Sequence, residues 1–378
     1  MIDTVVLHIP REKVFEISDL KGVQPWELHS STGTYKKYTK NPPRGLKDGI
    51  YRPKITGMDR KIAVGRTSSF LRIEFSVAKM LFNNNLQEPT EADFQRVVDR
   101  LSDRLLECGL IVKKLDLINA LVYTIHPAKN IILTDTYTAS LVIKELSKIN
   151  LNKKFDMDKA RFRNDGQSLQ GYTKFHSVVF YDKIADLAKG KKRAIDKDQT
   201  SRQLSLLAAI KKDSPSLEVL RFEVRICRKQ KLDAVLRKLG FQPNATFKDI
   251  FKKDVCQKIV RHYWDTLVKG ENLFLFGLLE GPQTLLKKII AKENKTKPKE
   301  AVVLVGLHAL CKDDGGIRGL RHILEKHTKQ RNWYRFSNSI KRLNRLQDKK
   351  AVHGWVRQIE SAIDRFEPIR SVAGLPAP

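Results

Sequence analysis

Four short runs carry ionisable side chains at alternate positions, the spacing that puts them on one face of a β-strand. In Leu71-Arg72-Ile73-Glu74-Phe75 the alternation pairs Arg72 with Glu74 and sends the apolar residues the other way. Residues 220–225 group Arg221, Glu223 and Arg225 opposite Leu220, Phe222 and Val224. Residues 112–117 group Lys114 with Asp116, and residues 178–183 group Val179, Tyr181 and Lys183. If these strands are neighbours, one face holds Glu74, Asp116, Glu223 and Tyr181 among several cations. That combination suits a divalent ion and a phosphate: hard carboxylate oxygens select Mg²⁺ or Mn²⁺, while Arg72, Arg221, Arg225 and Lys183 add donors. Tyr181 is then a candidate nucleophile. A tyrosine of pKa about 10 is only ~0.1% phenolate at neutral pH, so a metal or Lys183 has to offset roughly 4 kcal/mol. Attack on a DNA phosphodiester would leave a phosphotyrosine on the 5′ end and free a 3′ hydroxyl, keeping the bond energy for rejoining. The scheme requires Tyr181 within about 10 Å of the three acids. Plainer readings stand beside it. Alternating Arg and Glu also make a solvated outer face with weak ion pairs. Tyr181 is one of nine tyrosines, and a strand tyrosine commonly packs with its hydroxyl bonded. Composition and spacing alone do not select it.

The elements that must position these residues are partly legible. The run at residues 71–75, followed by Ala78-Lys79-Met80-Leu81, is echoed by residues 220–224, followed by Arg228-Lys229-Gln230-Lys231-Leu232. Both read as strands that turn into helices, which predicts a duplicated half-domain forming one continuous, largely antiparallel sheet. The fold class is therefore α/β in the broad sense, more closely α+β. Thr90 with an acid three residues on, then Phe94, Val97, Val98, Leu101 and Leu105, predicts a capped helix ending near Gly109. Residues 1–235 mix strands and helices and form the expected catalytic domain; residues 236–370 read as a helical DNA-binding domain and 371–378 as a disordered tail. Residues 189–193 form a basic loop that either brushes a DNA backbone or is simply solvated. In the second half, residues 299–311, 317–327 and 332–346 read as three helices in a helix-turn-helix arrangement, broken at residues 313–316. Phe336, Ile340 and Leu343 form the inner stripe of the last one. Arg335, Ser339, Arg342 and Arg345, with Lys341 beside them, form a face that suits a DNA groove or is an ordinary basic surface.

Lys and Arg number 72 against 42 Asp and Glu, a formal net charge of +30 that points to a polyanionic partner, nucleic acid first. The longest purely aliphatic run, residues 301–305, is far too short to span a bilayer, and the opening residues read as a strand with no leader, so a cytoplasmic location is expected. Cys108, Cys227, Cys256 and Cys311 lie far apart and fit neither a zinc site nor a disulfide framework. The histidines are isolated, with no histidine-hydrophobe-histidine motif, so a carboxylate-bound metal is expected. His176 falls on the face opposite Tyr181 and reads as a core or edge residue.

Taken in order, Met1-Ile2-Asp3 with its aliphatic strand, the Leu115-Asp116 run, the aliphatic-aromatic-Tyr-x-Lys run ending at Lys183, and Arg221-Phe222-Glu223-x-Arg225 resemble the gene II/gene X replication-initiator family of filamentous phages and related plasmids. More distantly the chain is similar to plasmid trans-acting initiators. The resemblance covers roughly the first 235 residues. It implies a rolling-circle initiator in a bacterial host cell that nicks one strand of a double-stranded origin through Tyr181, with Lys183 beside it, and later rejoins the strand. It also implies Glu223 and Asp116 as metal ligands, with Glu74 added through the internal echo, and a host helicase and single-strand binding protein as partners, with oligomers allowed. Gly319-Leu320-Arg321-His322 and His353-Gly354-Trp355-Val356-Arg357 resemble tyrosine recombinases only faintly, and no nucleophilic tyrosine follows them. The competing readings are a non-catalytic, sequence-specific DNA-binding protein that recruits host factors, and a non-specific binder with only a steep salt dependence.

Overall fold

The apolar half of the strands has to be covered, and the chain does this with one large sheet whose apolar face is packed against helices. A computed structural model describes residues 1–17, 25–32, 34–40, 51–63, 66–149, 161–163, 167–188, 208–210, 212, 216–278, 281–293, 296–327, 330–348 and 351–370. The proposed loop at 189–193 and the tail at 371–378 lie outside them.

The strands are β1 (Ile2–Pro10), β2 (Val14–Glu16), β3 (Glu27–Ser31), β4 (Tyr35–Thr39), β5 (Lys54–Ala63), β6 (Arg66–Ser76), β7 (Leu110–Val112), β8 (Leu121–Leu133), β9 (Arg161–Arg163), β10 (Ser168–Tyr172), β11 (His176–Asp182) and β12 (Glu218–Ile226). Apart from β2 and β7, which pair with each other, they form one ten-stranded sheet in the order β3-β4-β5-β6-β1-β8-β12-β11-β10-β9. Every pairing in it is antiparallel.

That order reads the same outward from the centre in both directions. The first half runs β1-β6-β5-β4-β3 and the second β8-β12-β11-β10-β9, so the duplication expected from the Arg-x-Glu echo is visible in the topology. The registers agree. Arg72 sits opposite His8 and Thr56, and Arg221 sits opposite Asn130 and Tyr181, so Thr56 occupies in the first half the place of Tyr181 in the second. Thr4 pairs with His126 at the centre, where the two halves meet.

The helices are α1 (Val77–Phe82), α2 (Phe94–Glu107), α3 (Lys114–Ile118), α4 (Ala139–Ser147), α5 (Lys183–Ala188), α6 (Lys229–Lys238), α7 (Phe247–Ile250), α8 (Lys253–Tyr263), α9 (Pro282–Lys292), α10 (Pro298–Lys312), α11 (Gly316–His327), α12 (Gln330–Leu346) and α13 (Gly354–Arg365). Thr90 and Asp93 make the expected capping box ahead of α2, which buries Val97, Val98, Leu101 and Leu105. Helices α10, α11 and α12 pack pairwise, within two residues of the bounds expected. Gly316, at φ +59°, opens α11 where a Cβ would come within 2.4 Å of the Lys148 backbone, so the tight break there needs glycine.

The expected boundary at residue 235 falls inside α6, and the apolar core continues across it. One cluster includes Leu7, Ile73, Phe222, Trp264, Phe276 and Trp355. Phe180 and Phe222 stack at 4.6 Å behind the Tyr181 strand, Trp264 meets both at 6.5 and 6.1 Å, and Phe276 and Trp355 extend the contact into the helical half.

Candidate functional site

The face of the sheet opposite that core carries Arg72, Glu74, Arg221, Glu223 and Tyr181. Near the Tyr181 end it is roofed by a small second cluster of Leu86, Leu187, Ile210 and Val219. This roof takes part of the face out of solvent: Arg221 and Glu223 are almost fully buried there.

Glu223 is the hub. The Tyr181 hydroxyl donates to its Oε2 at 3.4 Å, and Arg225 Nε donates to its Oε1 at 2.7 Å. His126 Nδ1, on β8, lies 3.4 Å from the same Oε1. Arg221 Nε approaches at 3.6 Å, and its guanidinium also pairs with Asp3 at 2.9 Å and donates to Asn130 Oδ1 at 2.9 Å. Asp3 reaches this group because the β1–β8 register slips between Ile2 and Thr4, an irregularity of the kind that re-aims a side chain.

The electrostatics follow from burial and company. Burial alone would raise the Glu223 pKa, but Arg225, the His126 hydrogen bond and Arg221 hold it well below the usual carboxylate range. Burial disfavours charge on His126, yet its hydrogen bonds with Cys227 and Glu223 raise it to about 9. Burial pushes the Tyr181 phenol well above its ordinary value, and the attraction of Arg221 offsets only part of that.

Lys183 reaches the site by a route the alternation did not foresee. The strand ends at Asp182, whose Oδ1 accepts from Ala185 N at 2.9 Å and so caps α5. Lys183 becomes the first residue of that helix instead of a strand-face residue, and its side chain is fully buried. Its Nζ stands 5.4 Å from the centre of the Tyr181 ring and 3.7 Å from Asp186, without a hydrogen-bond partner among the described residues. Burial, helped by repulsion from Arg221, lowers its pKa to about 7.

The structure brings together Tyr181, Lys183, Arg221, Arg225 and Glu223, and separates the other expected ligands from them. Glu74 is bridged to Arg72 at 2.7 Å on β6, three strand spacings from β12, at least ~14 Å away across the sheet. Asp116 is not on a strand. It lies in α3, on the helix side, where Leu115 is exposed and Leu117 buried, and it pairs with Lys13 at 2.7 Å. Lys114 pairs with Asp99 instead. The ligand set Glu74, Asp116 and Glu223 is therefore corrected.

A different set is close enough. Ligand atoms of Asp3, His126 and Glu223 all lie within 4.8 Å of one another, which fits a single ion. Imidazole beside two carboxylates favours Mn²⁺ over Mg²⁺. His126 must give up its proton to serve as a ligand. Asp3 and His126 were missed as site residues. Asp3 depends on the register slip, and His126 was set aside as isolated although Thr124, His126, Ala128 and Asn130 share a face by alternation. His176 is the core residue expected, bonded to the Tyr263 hydroxyl at 2.6 Å.

On α12, Ile340 and Leu343 are buried and Phe336 half-buried as the stripe predicted; Arg335, Lys341 and Arg345 are exposed and Ser339 is half-buried. Arg342 departs from the expected outward face: it binds Glu293, Glu300 and Thr296, tying α12 to α10 and to the segment after α9. No disulfide links the cysteines; Cys108, Cys256 and Cys311 are buried and Cys227 exposed. Among the described residues no helix is long and apolar enough to cross a membrane. Compared with known proteins, the chain matches no family model, no curated protein and no solved structure.

Proposed function

We propose that this chain is a rolling-circle replication initiator that nicks one DNA strand through Tyr181 and later rejoins it. The observation that carries the reading is the Tyr181 hydroxyl on Glu223, flanked by Arg221, Arg225, Lys183 and the Asp3–His126–Glu223 group.

The tyrosine oxygen forms a bond to phosphorus as the bond from phosphorus to the 3′ oxygen breaks. The strand is left with a 5′ phosphotyrosine and a 3′ hydroxyl; reversal of the same exchange rejoins it. Glu223 orients the phenol. With a pKa of about 7, Lys183 is partly unprotonated at neutral pH and would accept the phenolic proton once the phenol leaves Glu223, then return it to the departing 3′ oxygen so that a hydroxyl forms. Arg221 and Arg225 stay charged and stabilise the negative charge on the phosphorane oxygens. A divalent ion held by Asp3, His126 and Glu223 would supply Lewis-acid polarisation of the scissile phosphate.

The exposed cations of α12, Arg335, Lys341 and Arg345, then serve origin recognition, and a host helicase and single-strand binding protein extend and cover the displaced strand. The test is incubation of the full chain with Mn²⁺ and supercoiled DNA carrying the origin region of its own replicon. Open circles and a detergent-resistant protein–DNA adduct on the Tyr181 peptide are expected. Tyr181→Phe should bind the DNA and form neither; nicking by Tyr181→Phe at the wild-type rate would refute the mechanism. Binding without nicking by the wild type would favour a protein that only recruits host factors.

A further inference from the structure

The first half of the sheet keeps the Arg-x-Glu pair but has Thr56 at the place of Tyr181, so it has no nucleophile there. Its charges are arranged differently. Register puts Lys54 opposite Glu74, Thr56 opposite Arg72 and Thr39, and Lys37 opposite Met58, all on one face. Thr56 is thus the centre of a triangle of Lys37, Lys54 and Arg72, with diagonal neighbours about 7–8 Å away. Of the carboxylates on this face, Glu74 is taken by Arg72, and Glu27 lies opposite Thr39 on the edge strand. Lys37 is held below its ordinary pKa, first by burial and then by repulsion from Lys54 and Arg72, an excess of like charge that an anion relieves. The Thr56 hydroxyl is fully buried and has no hydrogen-bond partner among the described residues. On the same face His8 is stacked between Phe70 and Tyr123, at 4.5 and 3.5 Å, and burial with repulsion from Arg72 lowers its pKa to about 3. The three rings are therefore uncharged at neutral pH.

We propose that the Lys37–Lys54–Arg72 corner is a second, non-cleaving contact for single-stranded DNA, holding a backbone phosphate of the strand that crosses from the Tyr181 site. Cations interleaved with aromatic rings on an open sheet face are the composition that tracks a single strand. Arg72 and the lysines supply the charged donors, while Thr56 is buried beneath them. The inference rests on the nicking reading for the identity of the strand, but its test does not use nicking.

Binding of a fluorescein-labelled oligothymidylate to the full chain carrying Tyr181→Phe is followed by anisotropy over a range of salt concentrations. Adding Lys37→Gln and Lys54→Gln should weaken binding about tenfold and reduce the log–log salt slope by about 1.4, two cations at ~0.7 each. The pair Lys37→Arg and Lys54→Arg should restore both, which separates lost contacts from lost fold. Control changes at Lys248→Gln and Lys299→Gln, both exposed and on other elements, should do neither. Unchanged affinity and slope in the Lys37/Lys54 variant would overturn the proposal. So would an equal loss in the control, which would mean diffuse charge only, or an equal loss on a duplex of the same length, which would remove the single-strand assignment. A wild-type chain that binds through this corner yet never nicks would refute the nicking reading and leave the corner standing.

Discussion

Lys183 is a single side chain whose burial lowers stability while giving it the proton affinity that the proposed chemistry would use. In the folded chain it releases its proton at about 7, against an ordinary value near 10.5. Between those two pH values the unfolded chain holds the extra proton, so stability rises with pH across the window. Below about 7 the folded state carries the full penalty, built up at roughly 1.4 kcal/mol per pH unit. Lys183→Met should therefore raise the melting temperature more at pH 6.5 than at pH 9.5 while abolishing nicking; an equal gain at both pH values would sink the account. At this scale the sequence was half legible. Alternation places Glu223, Arg221 and Arg225 on one face and Tyr181 on the matching face of a strand that proves to be its neighbour, although the choice of Tyr181 came from the resemblance. Lys183 arrives at the site through a helix cap, and Asp3 through a slipped register. A period-two pattern encodes neither.

Among the elements, α12 carries the clearest division of labour. Its apolar stripe and limits were readable because helical periodicity over a long segment is a strong signal. The partner of each arginine was not readable, since that depends on which helix packs alongside. Arg342 is committed to Glu293 and Glu300, whereas Arg335 and Arg345 are exposed. Arg335→Ala with Arg345→Ala should weaken origin binding at least several-fold with little change in melting temperature. Arg342→Ala should lower the melting temperature by a few degrees, a loss on the order of 1 kcal/mol for a partly buried, multiply bonded arginine. Thermal melts beside gel-shift titrations check both; the reverse pattern would remove α12 as the reading face. Asp116 marks the opposite failure. A run of only six residues with alternating charge is equally compatible with a short helix, and Lys114 and Asp116, grouped by alternation, end on different partners, Asp99 and Lys13.

At the scale of the whole molecule, a short internal echo carried a long way: it pointed to a duplicated sheet, which the strand order shows. The division of labour between the halves was not visible, because burial is set by contacts far apart in sequence. Trp264, Phe276 and Trp355 continue the stack behind Phe180 and Phe222, and α13 lies against β8. A fragment of residues 1–235 should accordingly lack a cooperative melt and bind a hydrophobic dye, whereas a fragment that melts like the intact chain would show that the sheet folds alone. The near-symmetry of the sheet also bears on what kind of break the proposed mechanism would make. A site with matching nucleophiles in both halves would present them in opposite directions to the two antiparallel strands of a duplex and invite a double-strand cut. With Thr56 where a second tyrosine would stand, the molecule is polar rather than symmetric: under the proposed mechanism one strand would be opened, the other would stay whole as template, and synthesis would have a single direction in which to go.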